Sequence, residues 1–315
     1  MTFLLALVGV LGVAASGPLI AAFPAVPALS MALWRNAVGT AVMAVPALVN
    51  EPRTFARLRR QEWGWSALAA VSLALHFAFF MTSIRMTTVA AATALVCLQA
   101  AWIAMFQSLR GTKYGWRVGL GIVLAFTGVI VITGLDIGSG SEALTGDAFA
   151  LIGGVLAAAY TLSGSKARAT MSTSSYTTIC YGMTSVLLLG MCLVAGAPIW
   201  GFNLNGWIGI IALALCSQVL GHSALNHLLS SLGPLTVSTL ILLEIPGAAL
   251  LASLFLGQVL PAGTVVGLTV ILAGLFFVVR GQGHAQARAL VSVDIDDPIM
   301  DEDVADEQAK EQGTN

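Results

Sequence analysis

The sequence predicts an all-α integral membrane protein: ten transmembrane helices forming two inverted five-helix repeats. Three observations carry this. Of 315 residues, 57% are hydrophobic and only 9% charged, against roughly 25% charged in an ordinary soluble domain. The mean hydropathy is +0.90, more apolar surface than a water-soluble fold can hide. The apolar residues fall into ten runs, and the second five runs echo the first five.

The runs lie near residues 2–22, 28–49, 64–83, 87–108, 116–135, 147–164, 175–196, 206–227, 233–256 and 262–280. A hydrocarbon core about 30 Å thick needs roughly 20 apolar residues per helix. Backbone donors and acceptors in lipid must be paired internally, and these long runs without alternation read as helices rather than barrel strands. The first run opens at Met1 with no basic segment before it and further spans follow, which favours a retained span over a cleaved signal peptide. Within it Pro18 follows Ser16-Gly17, and Pro246 lies in the ninth run. Each frees a backbone carbonyl and permits a bend, so both are candidate hinges.

Basic residues give the orientation. With the N-terminus inside, the inner segments hold Arg53, Arg57, Arg59, Arg60, Arg110, Lys113, Arg117, Lys166, Arg168, Arg280, Arg288 and Lys310. Outer connectors hold only Arg85, and Arg35 lies within the second span. This asymmetry places both termini in the cytoplasm and suits a multi-pass protein of the cell inner (plasma) membrane, whose surroundings are the lipid bilayer. Residues 1–135 then form the first repeat, 136–146 an outer linker and 147–280 the second repeat. Residues 281–315 form a cytoplasmic tail, acidic and poor in aromatics, expected to be disordered. No nucleic-acid footprint is visible. Cys97, Cys180, Cys192 and Cys216 sit in apolar runs without paired spacing, read as small hydrophobes rather than disulfide or metal ligands. Neither a metal nor a cofactor is expected.

The internal echo is specific in places. Gly121 and Gly128 in span 5 match Gly267 and Gly274 in span 10, Leu98-Gln99 aligns with Leu243-Glu244, and Trp65 opening span 3 matches Trp207 opening span 8. Five is odd, so the second copy enters the membrane upside down, the inverted-repeat plan of secondary transporters. The paired glycines permit close helix approach, which packing alone explains.

The segments GDAFALIGGVLAAAYTLSGSKAR (146–168), ALNHLLSSLGPLTVSTLILLEIPGA (224–248) and FPAVPALSMALWRN (23–36) resemble the drug/metabolite transporter superfamily, EamA-type, across roughly residues 5–280. Leu243-Glu244-Ile245-Pro246 is similar to the family's Leu-Glu-Pro pattern but carries an extra Ile245. The resemblance implies ten helices, both termini inside, a central cavity built from both halves, and export of amino acids, other metabolites or drugs.

Ionisable groups inside spans are costly and need a reason. Glu244 is the one acid deep in a span: either a cavity group that accepts a proton or anchors a substrate ammonium, or a structural carboxyl steadying the pivot beside Pro246. His76 shares a face with Phe80 and Ser83 on span 3, and Gln218, His222 and Asn226 form an i, i+4, i+8 stripe on its repeat partner, span 8. Such stripes fit a water-accessible cavity better than lipid. Arg35 either snorkels to the outer surface or binds a substrate carboxylate. Gln99, Trp102, Tyr160 and Ser163 complete the candidate lining, with aromatic packing the alternative for Trp102 and Tyr160.

These features point to a secondary transporter, an exporter of small molecules acting by alternating access as a monomer or homodimer. No nucleotide-binding GxxxxGK[ST] loop is present to power a pump. The alternative is a membrane-embedded enzyme acting on a lipid or small metabolite, but no HExxH or metal-ligand set stands out. An ion channel fits the inverted duplication less well.

Overall fold

The structure, a computed structural model, describes residues 2–52, 54–136, 140–259 and 262–295. Its elements are α1 Thr2–Ala14, α2 Ser16–Ala22, α3 Ala28–Asn50, α4 Thr54–Arg57, α5 Arg60–Met86, α6 Val89–Cys97, α7 Gln99–Leu109, α8 Trp116–Asp136, α9 Ser141–Arg168, α10 Thr173–Ala195, α11 Leu204–Leu213, a π-helical stretch Ala214–His222, α12 Ser223–Ile241, α13 Glu244–Leu256 and α14 Ala262–Ile295.

Seven helical stretches are long and apolar enough to cross a membrane, and two shorter apolar ones lie at Trp116–Gly128 and Val265–Val278. One of the seven, Leu204–Leu256, has 53 residues. At about 1.5 Å per residue it exceeds any bilayer core more than twofold, and it is broken at Gly233, whose φ of 76° and ψ of 165° are not helical, just before Pro234. It therefore crosses twice, and the spans number ten. Span 1 is α1 with α2, span 2 α3, span 3 α5, span 4 α6 with α7, spans 5 to 7 α8 to α10, span 8 α11 to Leu232, span 9 Pro234 to the end of α13, and span 10 α14.

Local chemistry sets the ends. Thr88, Ser172 and Asn203 cap α6, α10 and α11 by accepting the N–H groups of Ala91, Ser175 and Gly206, as short polar side chains do at helix starts. Gly196, at φ 64°, closes α10.

The main helix pairings are span 5 with 10, 3 with 6, 2 with 7, 1 with 8, and span 4 with both 6 and 9. Renumbering every span by five turns each of these pairings into one that also occurs: 3·6 becomes 8·1, and 4·6 becomes 9·1, a further contact. That is the signature of two equivalent halves related by a pseudo-two-fold axis. At the centre of the 5·10 pair, a side-chain carbon on Gly128 would stand 2.7 Å from the Gly267 carbonyl oxygen, and Gly121 meets Gly274 equally closely. Only glycine lets these backbones touch.

Two boundaries differ from the sequence expectation. Helix α9 starts at Ser141 rather than near 147, because Gly140 at φ 103° precedes it and Glu142 favours its first turn; Asp147 is buried within it. Helix α14 runs on to Ile295, past Arg280, through a stretch in which Ala285-Gln286-Ala287-Arg288-Ala289-Leu290 are good helix formers. The acidic segment from 296 onward lies outside the described residues.

We call the side bearing the loops at 51–60, 110–117 and 168–173 the basic face. Ties between elements occur at both faces. On the basic face the Glu51 carboxylate accepts from Ser172 (2.7 Å) and Ser175 (2.8 Å) at the start of span 7. Opposite, Ser30 and Trp34 at the start of span 2 donate to the carbonyls of Pro198 and Ile199 at 2.6 and 2.8 Å. Burial raises the Glu51 pKa, but the hydroxyls of Ser172, Ser175 and Ser174 outweigh it and hold the carboxyl below its usual range.

Candidate functional site

A cavity of about 40 Å³, room for the centres of a few waters, lies between the halves. It is lined by spans 1, 3 and 4 from the first half and 6, 8 and 9 from the second. This set too is unchanged when spans are renumbered by five, so the cavity straddles the pseudo-two-fold axis.

Spans 4 and 9 are both broken at its centre. Helix α6 ends at Cys97 and α7 begins at Gln99; α12 ends at Ile241 and α13 begins at Glu244. The Leu98-Gln99 and Leu243-Glu244 alignment thus marks the same interruption in each half. Gln99 and Glu244 open the second half-helices and line the cavity. Among the described residues, neither side chain has a hydrogen-bond partner within the protein.

His76 is buried, and its Nδ1 stands 2.9 Å from the Gly153 carbonyl oxygen on span 6. A carbonyl only accepts, so Nδ1 carries a proton in this contact. Its ring stacks on Phe80 (5.6 Å between centroids, 13° between planes), while His222 meets Phe77 edge-on at 5.6 Å and Tyr160 at 6.3 Å. Asn226 donates to the hydroxyls of Tyr160 (2.6 Å) and Tyr181 (3.1 Å), tying spans 6, 7 and 8 together.

Of the residues singled out from sequence, His76, Phe80, Gln99, Tyr160, His222, Asn226 and Glu244 line this cavity. Arg35, Trp102, Ser163 and Gln218 are placed behind its wall. Arg35 does not snorkel: it is fully buried. Its Nε donates to Gln218 Oε1 at 2.6 Å, Nη1 to Ser16 Oγ at 2.9 Å, and its guanidinium lies 4.2 Å from the centre of the Phe77 ring. Nη2 has no partner among the described residues. Satisfying these donors inside the protein is what lets a guanidinium stay at this depth.

The polar stripe on span 8 is not a single helical face. Ala214–His222 is π-helical, and the wider turn rotates Gln218 toward Arg35 and Asn36, to which its amide donates at 3.2 Å, leaving His222 and Asn226 to the cavity. Span 1 crosses this stretch at Gly12, where a side-chain carbon would stand 2.7 Å from the Gly221 nitrogen. Trp102 packs on Phe106 and Phe126 away from the cavity, and Ser163 is buried without facing it. Pro18 sits three residues past the break at Ala15 between α1 and α2, and Pro246 three past Leu243.

Sequence reasoning missed Phe77, Ser16 and Thr161, which also line the cavity. Phe77 adjoins His76 and signals nothing by itself.

The EamA-like transporter family matches residues 1–134 and 144–280, one copy on each half. The chain belongs to this family. It is also 24% identical over 235 residues to an uncharacterized transporter of Archaeoglobus fulgidus, spanning 73% of this chain and 81% of that one. A crystal structure of a protein at 15% identity shares the fold, with a TM-score of 0.64 over 88% of this chain and 96% of its own. The EamA-like halves meet where the cavity lies, and the discontinuous spans, one per half, supply Gln99 and Glu244 to it.

Proposed function

We propose that this EamA-like protein is a secondary transporter exporting small metabolites such as amino acids, or drug-like molecules, across the inner (plasma) membrane by alternating access, with both termini cytoplasmic. The observation that carries this is the pair of broken spans meeting at a cavity shared equally by two inverted halves. Two near-equal packings of such halves open one chamber to opposite sides in turn. Glu244, without an internal partner, takes the substrate's ammonium or a coupling proton. Arg35, with Nη2 unpartnered among the described residues behind Phe77, takes a substrate carboxylate once that ring moves. Pro18 and Pro246, beside the breaks, act as hinges.

Cells overproducing the protein are expected to release a few metabolites that cells lacking it retain. Glu244→Gln is expected to abolish uphill release and spare downhill exchange in proteoliposomes. Equal loss of both would reject a coupling role, and an unchanged metabolite profile would reject export.

A further inference from the structure

The pseudo-two-fold axis should exchange the ties at one face with those at the other, and two pairs of ties obey; on the basic face Thr170 to Glu62 (2.8 Å) and Thr173 to His227 (3.0 Å) have no mirror among the described residues. Span 2 with the loop before span 8, held by Ser30 and Trp34, is matched on the basic face by span 7 with the loop after span 2, held by Glu51. Arg85 at the end of span 3 donates to the carbonyls of Phe23 and Val26 in the loop after span 1, at 3.0 and 3.1 Å. On the basic face Arg168 does the equivalent, joining the end of span 6 to the Asn226 carbonyl (3.1 Å) and Ser230 hydroxyl (3.1 Å) of span 8 and to the carbonyl of Met171.

Between the discontinuous spans 4 and 9, the one such tie at the faces likewise has no counterpart among the described residues. Where span 9 leaves the membrane, Gln258 Oε1 accepts from the backbone N–H of Val89, at the start of span 4, at 3.3 Å. Val89 is fully buried, and its N–H is one of the first-turn donors that no helix can satisfy for itself. Counting back from the Leu98/Leu243 register, Thr88-Val89 fall on Gly233-Pro234; counting on past Ile245, Gly111-Thr112 fall on Gly257-Gln258. Gly111 and Gly257 confirm the register, since both leave their helices with positive φ, 96° and 63°. The mirror latch would need Thr112 to reach the N–H of Pro234. Proline has none, and threonine is too short to replace glutamine. Among the described residues, no side-chain hydrogen bond joins spans 4 and 9 at the basic face. The cavity agrees in shape: Leu229 and Val237 of its lining lie within a turn of the basic-face ends of spans 8 and 9.

We propose that Gln258 is the positioning residue of the gate opposite the basic face: it latches span 9 to span 4, and because Pro234 denies the basic face the same latch, the empty protein rests closed to the opposite side and opens first toward the basic loops. This rests on the alternating-access reading. It supplies a reason for export, since an empty carrier open to the side of the basic loops loads there. Equal ligand-free gating of spans 4 and 9 at the two faces would need a latch at each.

The test is labelling of Ala157→Cys, a cavity-lining position, by a bulky membrane-impermeant maleimide in vesicles of both orientations. A protease site in the tail reports which face is outward, and the chain without Ala157→Cys serves as the blank for the four native thiols. Labelling from the basic face is expected to be at least about fivefold faster, the factor one net hydrogen bond supplies. Gln258→Leu should raise the opposite-face rate about fivefold, and Thr112→Gln with Pro234→Ala, which gives the basic face its donor and acceptor, should slow basic-face labelling. A purely structural Gln258 would move neither rate selectively. Equal rates from both faces in the unsubstituted latch, or a Gln258→Leu rate within about twofold of it, overturn the latch and leave alternating access standing. Labelling from neither face in any variant overturns both.

Discussion

Replacing Gln218 by leucine should expose how this protein keeps an arginine in the middle of a membrane. Gln218 is fully buried and holds two groups at once, accepting from Arg35 Nε at 2.6 Å and donating to Asn36 Oδ1 at 3.2 Å. A hydrogen bond to a charged group contributes about 2 kcal/mol and a neutral one about 1 kcal/mol, so Gln218→Leu should cost about 3 kcal/mol. Arg35→Met alone strands the Gln218 carbonyl and should cost about 1.5 kcal/mol. The double variant replaces both partners by apolar groups of similar length and should cost only about 1 kcal/mol. The cycle therefore predicts a coupling of about 3.5 kcal/mol, at or slightly above the upper end for residues in contact. Unfolding of the four purified proteins in mixed micelles measures it. A cost below about 0.5 kcal/mol for Gln218→Leu, or simple additivity, would refute the view that Gln218 neutralises the burden of Arg35. The double variant should fold well yet fail to transport if Arg35 also receives a substrate carboxylate.

Two further outcomes follow from the geometry. Gly12→Leu drives a side chain into the backbone at Gly221 and Cys216, neither of which can yield, so its midpoint of thermal unfolding should fall by an amount equivalent to about 3 kcal/mol; Gly64→Ala, with nothing within 4 Å, should be neutral or slightly stabilising. The lowered Glu51 pKa stabilises the fold above the unfolded-state value and is lost as pH falls through the folded-state value. Thermal stability should therefore decline on the acid side of the carboxylate range, and Glu51→Gln should flatten that decline.

Much of the architecture was legible without coordinates. Spans 4 and 9 illustrate why: Leu98-Gln99 and Leu243-Glu244 could be aligned by eye, and both helices break there. The glycines of spans 5 and 10 were readable for the same reason, since a repeat written twice exposes positions that must stay small. The cavity was only partly legible. His76 and Glu244 stood out because charge and imidazole are expensive in lipid, whereas Phe77 is one apolar residue among many. Gln218 was misread because a regular 3.6-residue period puts it in line with His222 and Asn226, and the π-helical stretch abolishes that period. For Arg35 the sequence left snorkelling and carboxylate binding both open, because depth along span 2 does not fix the direction of the side chain; the structure buries it.

Sequence alone determined the membrane class, the ten crossings, the sorting of basic loops to one face and the duplication, because hydropathy and charge add residue by residue and need no neighbours. Only the tertiary structure decided which side of each helix faces the chamber, which polar groups pair with one another, and which ties lack a mirror image. Those depend on helix rotation and on contacts between distant segments. One extra residue in a helical turn changes them by about 100° while leaving the hydropathy of the span unchanged.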